Sequence, residues 1–139
     1  MQLEIEITTQ PITPRREPPE ETRGSIGARA EFAGLVRAEE SGATIAALEY
    51  EAYQPMAERV IRQTIEDING RHPCDWVRVA HRVGVIPVSE AAIIVEAAAR
   101  HRAEAFAMLA EFMDRLKQDV PIWKRRALTA GELAAQKES

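Results

Sequence analysis

Lysine is scarce in this sequence. Lysine and arginine together number 18, yet lysine stands only at Lys117, Lys124 and Lys137. Lys117 and Lys124 flank Pro121, and a proline that breaks a helix lets the chain on either side return to one place. Two amines at one site can hold an anion or move a proton. A structural reading stands beside that one, in which Lys117 complements the negative end of a helix and Lys124 is solvated. The chemical reading needs an amine that sheds its proton readily. A helix C-terminus opposes this, so Lys124, Arg125 and Arg126, or burial, must outweigh it. His101 and Arg102 open the helix that Lys117 closes, and Ala99-Arg100-His101-Arg102-Ala103 contains no serine, threonine or aspartate cap. The backbone donors left open there, beside a guanidinium and an imidazole, suit a phosphate; water is the alternative occupant. Arg37 is either a third cation converging on an anion or a surface arginine beside Glu39 and Glu40. Glu49 and Glu51 share a strand face, where like charges call for cationic partners, and read as salt-bridge residues. His81 lies among valines and reads as a hydrogen-bonded core residue. Nothing spaces histidines, cysteines and acids as a metal site would, and no glycine-rich phosphate loop or nucleophile elbow is present. Neither a metal nor a cofactor is expected.

The elements that must position these residues follow from periodicity. Leu3 to Thr8 alternates apolar with polar residues, as a half-buried strand does. Pro11, Pro14, Pro18 and Pro19, with Arg15, Arg16, Glu17, Glu20 and Glu21, mark residues 10–24 as an exposed, partly extended linker. From Gly27 to Arg37 a second strand places Ala28, Ala30, Phe32, Gly34 and Val36 on one face. Gly34 weakens it unless a bulge or a close backbone needs the space. Thr44 to Tyr53 reads as a third strand. From Pro55, Met56, Val60, Thr64 and Ile68, widened by Ile61 and Ile65, give a helical stripe that Asn69-Gly70 ends. Trp76 to Gly84 alternates again, and Ala91 to Ala99 is an apolar run fit for a central strand. A second helix with Phe106, Leu109, Met113 and Leu116 inward stops at Pro121, before a short strand at Ile122-Trp123-Lys124. After residue 44 the order is strand, helix, strand, strand, helix, strand. The expected class is therefore α+β: a split βαβ-type antiparallel sheet with two helices on one face, α/β hammerhead-like, preceded by extra N-terminal strands. One domain over residues 1–126 is expected, with 127–139 as a tail holding at most a helical turn at Ala130 to Gln136.

Composition bounds the function. The 139 residues suffice for one core, with 45% hydrophobic and 29% charged side chains. No apolar run nears the roughly 20 residues of a membrane span. A net charge of −4 gives no reason to expect a nucleic-acid partner, so any anion must be held locally. The lone Cys74 cannot form an internal disulfide, which makes a reducing cytoplasm the expected home.

Taken together, several stretches resemble the catalytic (large) subunit family of molybdopterin synthase. They are Gly27-Ala28 with Phe32-Ala33-Gly34-Leu35-Val36-Arg37, Leu48-Glu49-Tyr50-Glu51-Ala52-Tyr53 with Pro55-Met56-Ala57-Glu58, and His81-Arg82-Val83-Gly84. His101-Arg102-Ala103-Glu104-Ala105-Phe106 follows, and then Asp114-Arg115-Leu116-Lys117 running into Val120-Pro121-Ile122-Trp123-Lys124. They stand in the family's order across residues 25–126. The resemblance implies a sulfurtransferase that converts cyclic pyranopterin monophosphate to molybdopterin. Its sulfur would come from the C-terminal glycine thiocarboxylate of a small ubiquitin-like partner, within a homodimer that binds two small subunits. It further implies Lys117 and Lys124 as active-site lysines and Arg37, His101 and Arg102 as the pterin-phosphate site, drawn from both protomers. The sequence departs from the family where Ala38-Glu39-Glu40 replaces a usual asparagine and histidine, placing acids beside the presumed phosphate site. Ser89 stands where glycine is typical. A noncatalytic anion- or tail-binding module of the same fold is the alternative reading.

Overall fold

The structure, a computed structural model, describes residues 1–14 and 17–138. Arg15 and Arg16 of the expected linker and Ser139 of the expected tail lie outside the described residues. In chain order the elements are β1 (Gln2–Thr8), β2 (Ala28–Leu35), β3 (Glu39–Glu40), β4 (Ala43–Thr44), β5 (Ala47–Ala52), α1 (Gln54–Asn69), β6 (Trp76–Arg82), β7 (Gly84–Pro87), β8 (Ala91–Ala99), α2 (Arg102–Asp119), β9 (Ile122–Leu128) and α3 (Ala130–Glu138).

The α+β class holds, with both long helices on one sheet face. That sheet has the order β1-β6-β8-β2, antiparallel except where β1 runs parallel to β6. Strand alternation sends Val77, Val79, Val95 and Ala97 to the side where Ile61, Ile65 and Ile68 of α1 meet Met108, Phe112 and Leu116 of α2. Each large side chain removed from water here contributes roughly 1.5–3 kcal/mol. Arg115 of α2 donates to Asp67 of α1 at 2.5 Å, which fixes the last turns of α2 just before Lys117.

Several features differ from the sequence expectation. β5 leaves the main sheet and forms a second one of order β7-β5-β9. The chain turns out of β6 at Val83-Gly84, where Gly84 has φ +83°. A bulge at Gly34/Leu35 then turns Val36 away from its expected face into a cluster with Ile45, Leu48, Ile86 and Ala92. The bulge foreseen for Gly34 occurs; what comes close is a side chain and not a backbone, since a Cβ there would stand 2.8 Å from Ile93 Cγ2.

The inward stripe of α2 is Ala105, Met108, Leu109, Phe112 and Leu116, and Phe106 is exposed. In α1 the expected Ile61, Thr64, Ile65 and Ile68 are buried, and the stripe departs only in the first turns, where Ala57 is buried with Met56 outside. Small alanines carry little weight in a hydrophobic pattern, yet they let a helix approach the sheet closely. The proline-rich segment is not wholly exposed. Ile12 is buried against Ala80 and Ile94 on the sheet face opposite the helices, and Thr22 is buried within a 3₁₀ turn at Glu20–Thr22.

At the far end, β9 runs on to a fully buried Leu128 that pairs with Ala47. A reciprocal cap then starts α3: Thr129 N donates to Glu132 Oε1 at 3.0 Å and Glu132 N to Thr129 Oγ1 at 3.2 Å.

Ser89, in the turn from β7 to β8, has φ +75°. A side chain in this left-handed region costs about 1–2 kcal/mol, partly offset by the extra chain entropy glycine loses on folding. Ser89→Gly is expected to raise unfolding free energy by about 0.5–1 kcal/mol, measured from urea midpoints. A midpoint at or below the parent's would refute this.

Candidate active site

Lys117 and Lys124 line one cavity of about 500 Å³. Its walls come from the end of β2, the middle of β5, the end of β6, the start of β8, the last turns of α2 and the start of β9. Pro121 makes this meeting possible. Helix α2 ends at Asp119, Val120 is already extended, and Tyr53 N donates to the Pro121 carbonyl at 3.1 Å. The break is thereby pinned to the end of β5.

A bulge in β9 selects which cation enters. Tyr50 pairs with Lys124 and Glu49 with Arg126, leaving Arg125 unpaired between them. Without the extra residue Lys124 and Arg126 would face the same way. With it, Lys124 stands on Tyr50's side, toward the cavity, and Arg126 on Glu49's. The carboxylates of β5 find the cationic partners expected of them: Arg126 Nε lies 2.7 Å from Glu49 and Arg125 Nη1 3.3 Å from Glu51.

Sequence reasoning missed several cavity groups. Tyr50 and His81 both line it, their rings edge to face at 5.4 Å. Burial pushes the Tyr50 phenol above its usual range, Lys124 pulls it back, and Glu40 raises it further. His81 is the buried, hydrogen-bonded residue expected, with Nδ1 2.8 Å from the Arg82 carbonyl. That contact assigns the ring proton to Nδ1 and leaves Nε2 as the basic nitrogen. Burial lowers the His81 pKa and the carbonyl contact partly restores it, so the ring is neutral at pH 7. Trp123, Phe32 and Leu35 form an exposed apolar rim. The signal for Tyr50 and His81 was their strand parity, which becomes readable only once the strands are paired.

The lowered His81 pKa fixes the sign of a pH effect. Stability due to the neutral ring is complete above the unfolded value near 6.5, and is lost as pH falls from there through the lower folded value. Urea midpoints should drop between pH 7.5 and 5.5 in the parent and drop less in His81→Gln. Equal slopes would refute it.

The remaining candidates lie elsewhere in the chain. Arg37 is exposed and borders a separate depression with Ser41 and Gly42. His101 is the N-cap of α2, without a side-chain cap bond, so the open helix start foreseen for it exists. Arg102 begins the helix and is exposed. Fifteen residues at about 1.5 Å rise put the Arg102 backbone roughly 22 Å from that of Lys117. One chain therefore unites the two lysines and leaves His101 and Arg102 at the opposite end of α2. Most of the described arginines hold an acid. Arg37, Arg102 and Lys117 have no ion pair among the described residues. Burial, with Asp75 and Glu104 nearby, pushes the Cys74 thiol up to about 11, so Cys74 is no nucleophile at neutral pH. No group of three or more metal-holding side chains exists among the described residues, and none of the described helices is long and apolar enough to cross a membrane.

The fold and cavity define an α+β domain that gathers a lysine pair, a phenol and a neutral imidazole behind an apolar rim. The chain belongs to the MoaE protein family, whose pattern matches residues 7–119. It is similar to the human protein named molybdopterin synthase catalytic subunit, 42% identical over 99 residues, 71% of this chain and 53% of the relative. The chain thus spans about half the length of that human relative. The crystal structure of molybdopterin synthase from Staphylococcus aureus superposes with a TM-score of 0.74 at 34% identity, covering 86% of this chain and 87% of that one. A complex of subunits 1 and 2 of molybdopterin-converting factor from Helicobacter pylori shares the fold at TM-score 0.65 and 18% identity, over 94% and 90% of the two chains.

Proposed function

We propose that this chain is the catalytic subunit of a molybdopterin synthase. It binds cyclic pyranopterin monophosphate and accepts sulfur from the C-terminal thiocarboxylate of a small ubiquitin-like subunit, building the dithiolene of molybdopterin. The observation that carries this reading is the convergence of Lys117 and Lys124 on one cavity in a chain of the MoaE family.

The chemistry matches what the cavity offers. A thiocarboxylate sulfur is already nucleophilic, so the protein has to place it, stabilise charge on the phosphate as its ring opens, and move protons. Lys117 is the main acid/base group and Lys124 its electrostatic neighbour. The apolar rim of Trp123, Phe32 and Leu35 suits the flexible tail of a partner. Arg37, His101 and Arg102 hold the phosphate. Because His101 and Arg102 sit at the far end of α2, a second copy supplies them, which favours a homodimer carrying two small subunits. The single cysteine of the sequence, buried as a free thiol, suits a cytoplasmic setting.

The deciding experiment supplies the purified chain with the cyclic pterin phosphate and a thiocarboxylated small subunit. Molybdopterin should form; ligand binding without product would instead identify a noncatalytic binding module. Arg102→Ala should weaken pterin binding by about 1–3 kcal/mol, the scale of a charge-assisted hydrogen bond, as read by titration calorimetry. An unchanged dissociation constant would remove Arg102 from the site.

A further inference from the structure

The acid that pairs with Lys124 comes from outside the cavity wall. Lys124 Nζ lies 3.0 Å from Glu40 Oε1, across 84 residues of sequence. Glu40 ends β3, which pairs with β4 through the two-residue turn Ser41-Gly42. Both turn residues have positive φ, +51° and +81°, as in the tight hairpin turn whose twist matches its strands. Ile45 N donates to the Ala38 carbonyl at 2.9 Å, closing the hairpin at its base. A short, braced arm therefore delivers the carboxylate, which is 27% exposed while Lys124 is 47% exposed. Tyr50 senses both charges from the cavity wall. Lys117, the other amine lining the cavity, has no such partner among the described residues.

We propose that Glu40 is a specificity-determining residue that occupies Lys124 in place of an incoming chain-terminal carboxylate or thiocarboxylate and must be displaced by it. The reading rests on the cavity's proposed role as the sulfur-transfer site. A half-exposed ion pair of this kind is weakly held, so a chain-terminal anion can take it over while a weaker ligand cannot. The apolar rim beside the pair, Trp123 above all, favours an anion that arrives on a peptide. Glu40 also repels any anion that fails to displace it, and this repulsion is what selects.

The test needs no turnover, and so its failure is distinct from failure of the sulfur-transfer reading. The probe is a peptide ending in Gly-Gly with a free carboxylate, titrated into the full chain and into Glu40→Gln, with the same peptide amidated as control. The free-acid peptide should bind Glu40→Gln about two- to fivefold more tightly than the parent, the scale of an exposed ion pair. The gap should narrow as salt rises, and the amide should bind both proteins alike. Glu40→Ala should behave as Glu40→Gln does, which separates lost charge from any change in the hairpin. In the sulfur-transfer assay the same variants should lower KM for the thiocarboxylated partner. Equal affinity of the free-acid peptide for parent and variants, including no detectable binding to any, would overturn the proposal, as would weaker binding to the variants.

Discussion

Lys117→Ala should reduce molybdopterin formation at least about 100-fold, the lower end of what a positioned acid/base group supplies, and leave the fold in place. The second half of that expectation follows from the structure. Lys117 is exposed, sits on the last turn of α2 and holds no ion pair among the described residues. What the fold loses is a charge complementing the helix C-terminus, worth about 0.3–1 kcal/mol. Lys117→Arg keeps that charge but cannot release a proton at neutral pH. If the amine's task is proton transfer, arginine should be nearly as inactive as alanine; if it is only electrostatic, arginine should restore much of the rate. Lys124→Ala is the necessary comparison, because it also frees Glu40. Single-turnover kinetics with thiocarboxylated partner, beside thermal melts of each variant, measures both halves. Full turnover by Lys117→Ala would take this lysine out of the mechanism.

What was legible in the sequence was local. The run Ala91 to Ala99 is a strand because eight small or branched apolar residues around one glutamate have few other uses, and β8 spans those residues. The lysine pair was legible for a similar reason: Pro121 ends a helix wherever the rest of the chain goes. Contacts set by pairing were illegible. Arg125 is an ordinary arginine until β9 pairs with β5, and then it is the bulge that sends Lys124 and Arg126 to opposite sides. Glu40 read as a threat to Arg37 three residues away, but in the fold it meets Lys124 instead. Position in sequence showed only the near cation, because Lys124 reaches Glu40 across 84 residues.

The largest loss of stability is expected from Gly27→Ala. Gly27 immediately precedes β2, and its N–H donates to the Ala99 carbonyl at 2.9 Å. A Cβ built there would run into the carbonyl oxygen of Arg100. That atom is backbone, so no side-chain rotation relieves the clash; either β2 must lift from β8 or the turn leading from β8 into α2 must move. Both are costly. β2 pairs with β8 from Ala28↔Ala99 onward, and overpacking of a fixed contact costs roughly 1–3 kcal/mol or more. We expect about 3 kcal/mol, which for a chain of this size lowers Tm by about 10 °C. Gly34→Ala is the internal standard, since its Cβ would meet side-chain atoms alone, Ile93 Cγ2 at 2.8 Å and the Phe32 ring from 3.4 Å, and these can shift without moving a strand. It should cost clearly less. The place where strain is released also matters for function. Arg100 leads into His101 and Arg102, so a turn that yields drags the proposed phosphate grip with it, and pterin affinity should fall along with stability. A strand that yields would leave affinity intact. Urea unfolding and pterin titration on the same variant separate the two routes, and a Gly27→Ala protein within 1 kcal/mol of the parent, roughly the lower bound for such overpacking, would show that the Arg100 carbonyl is free to move.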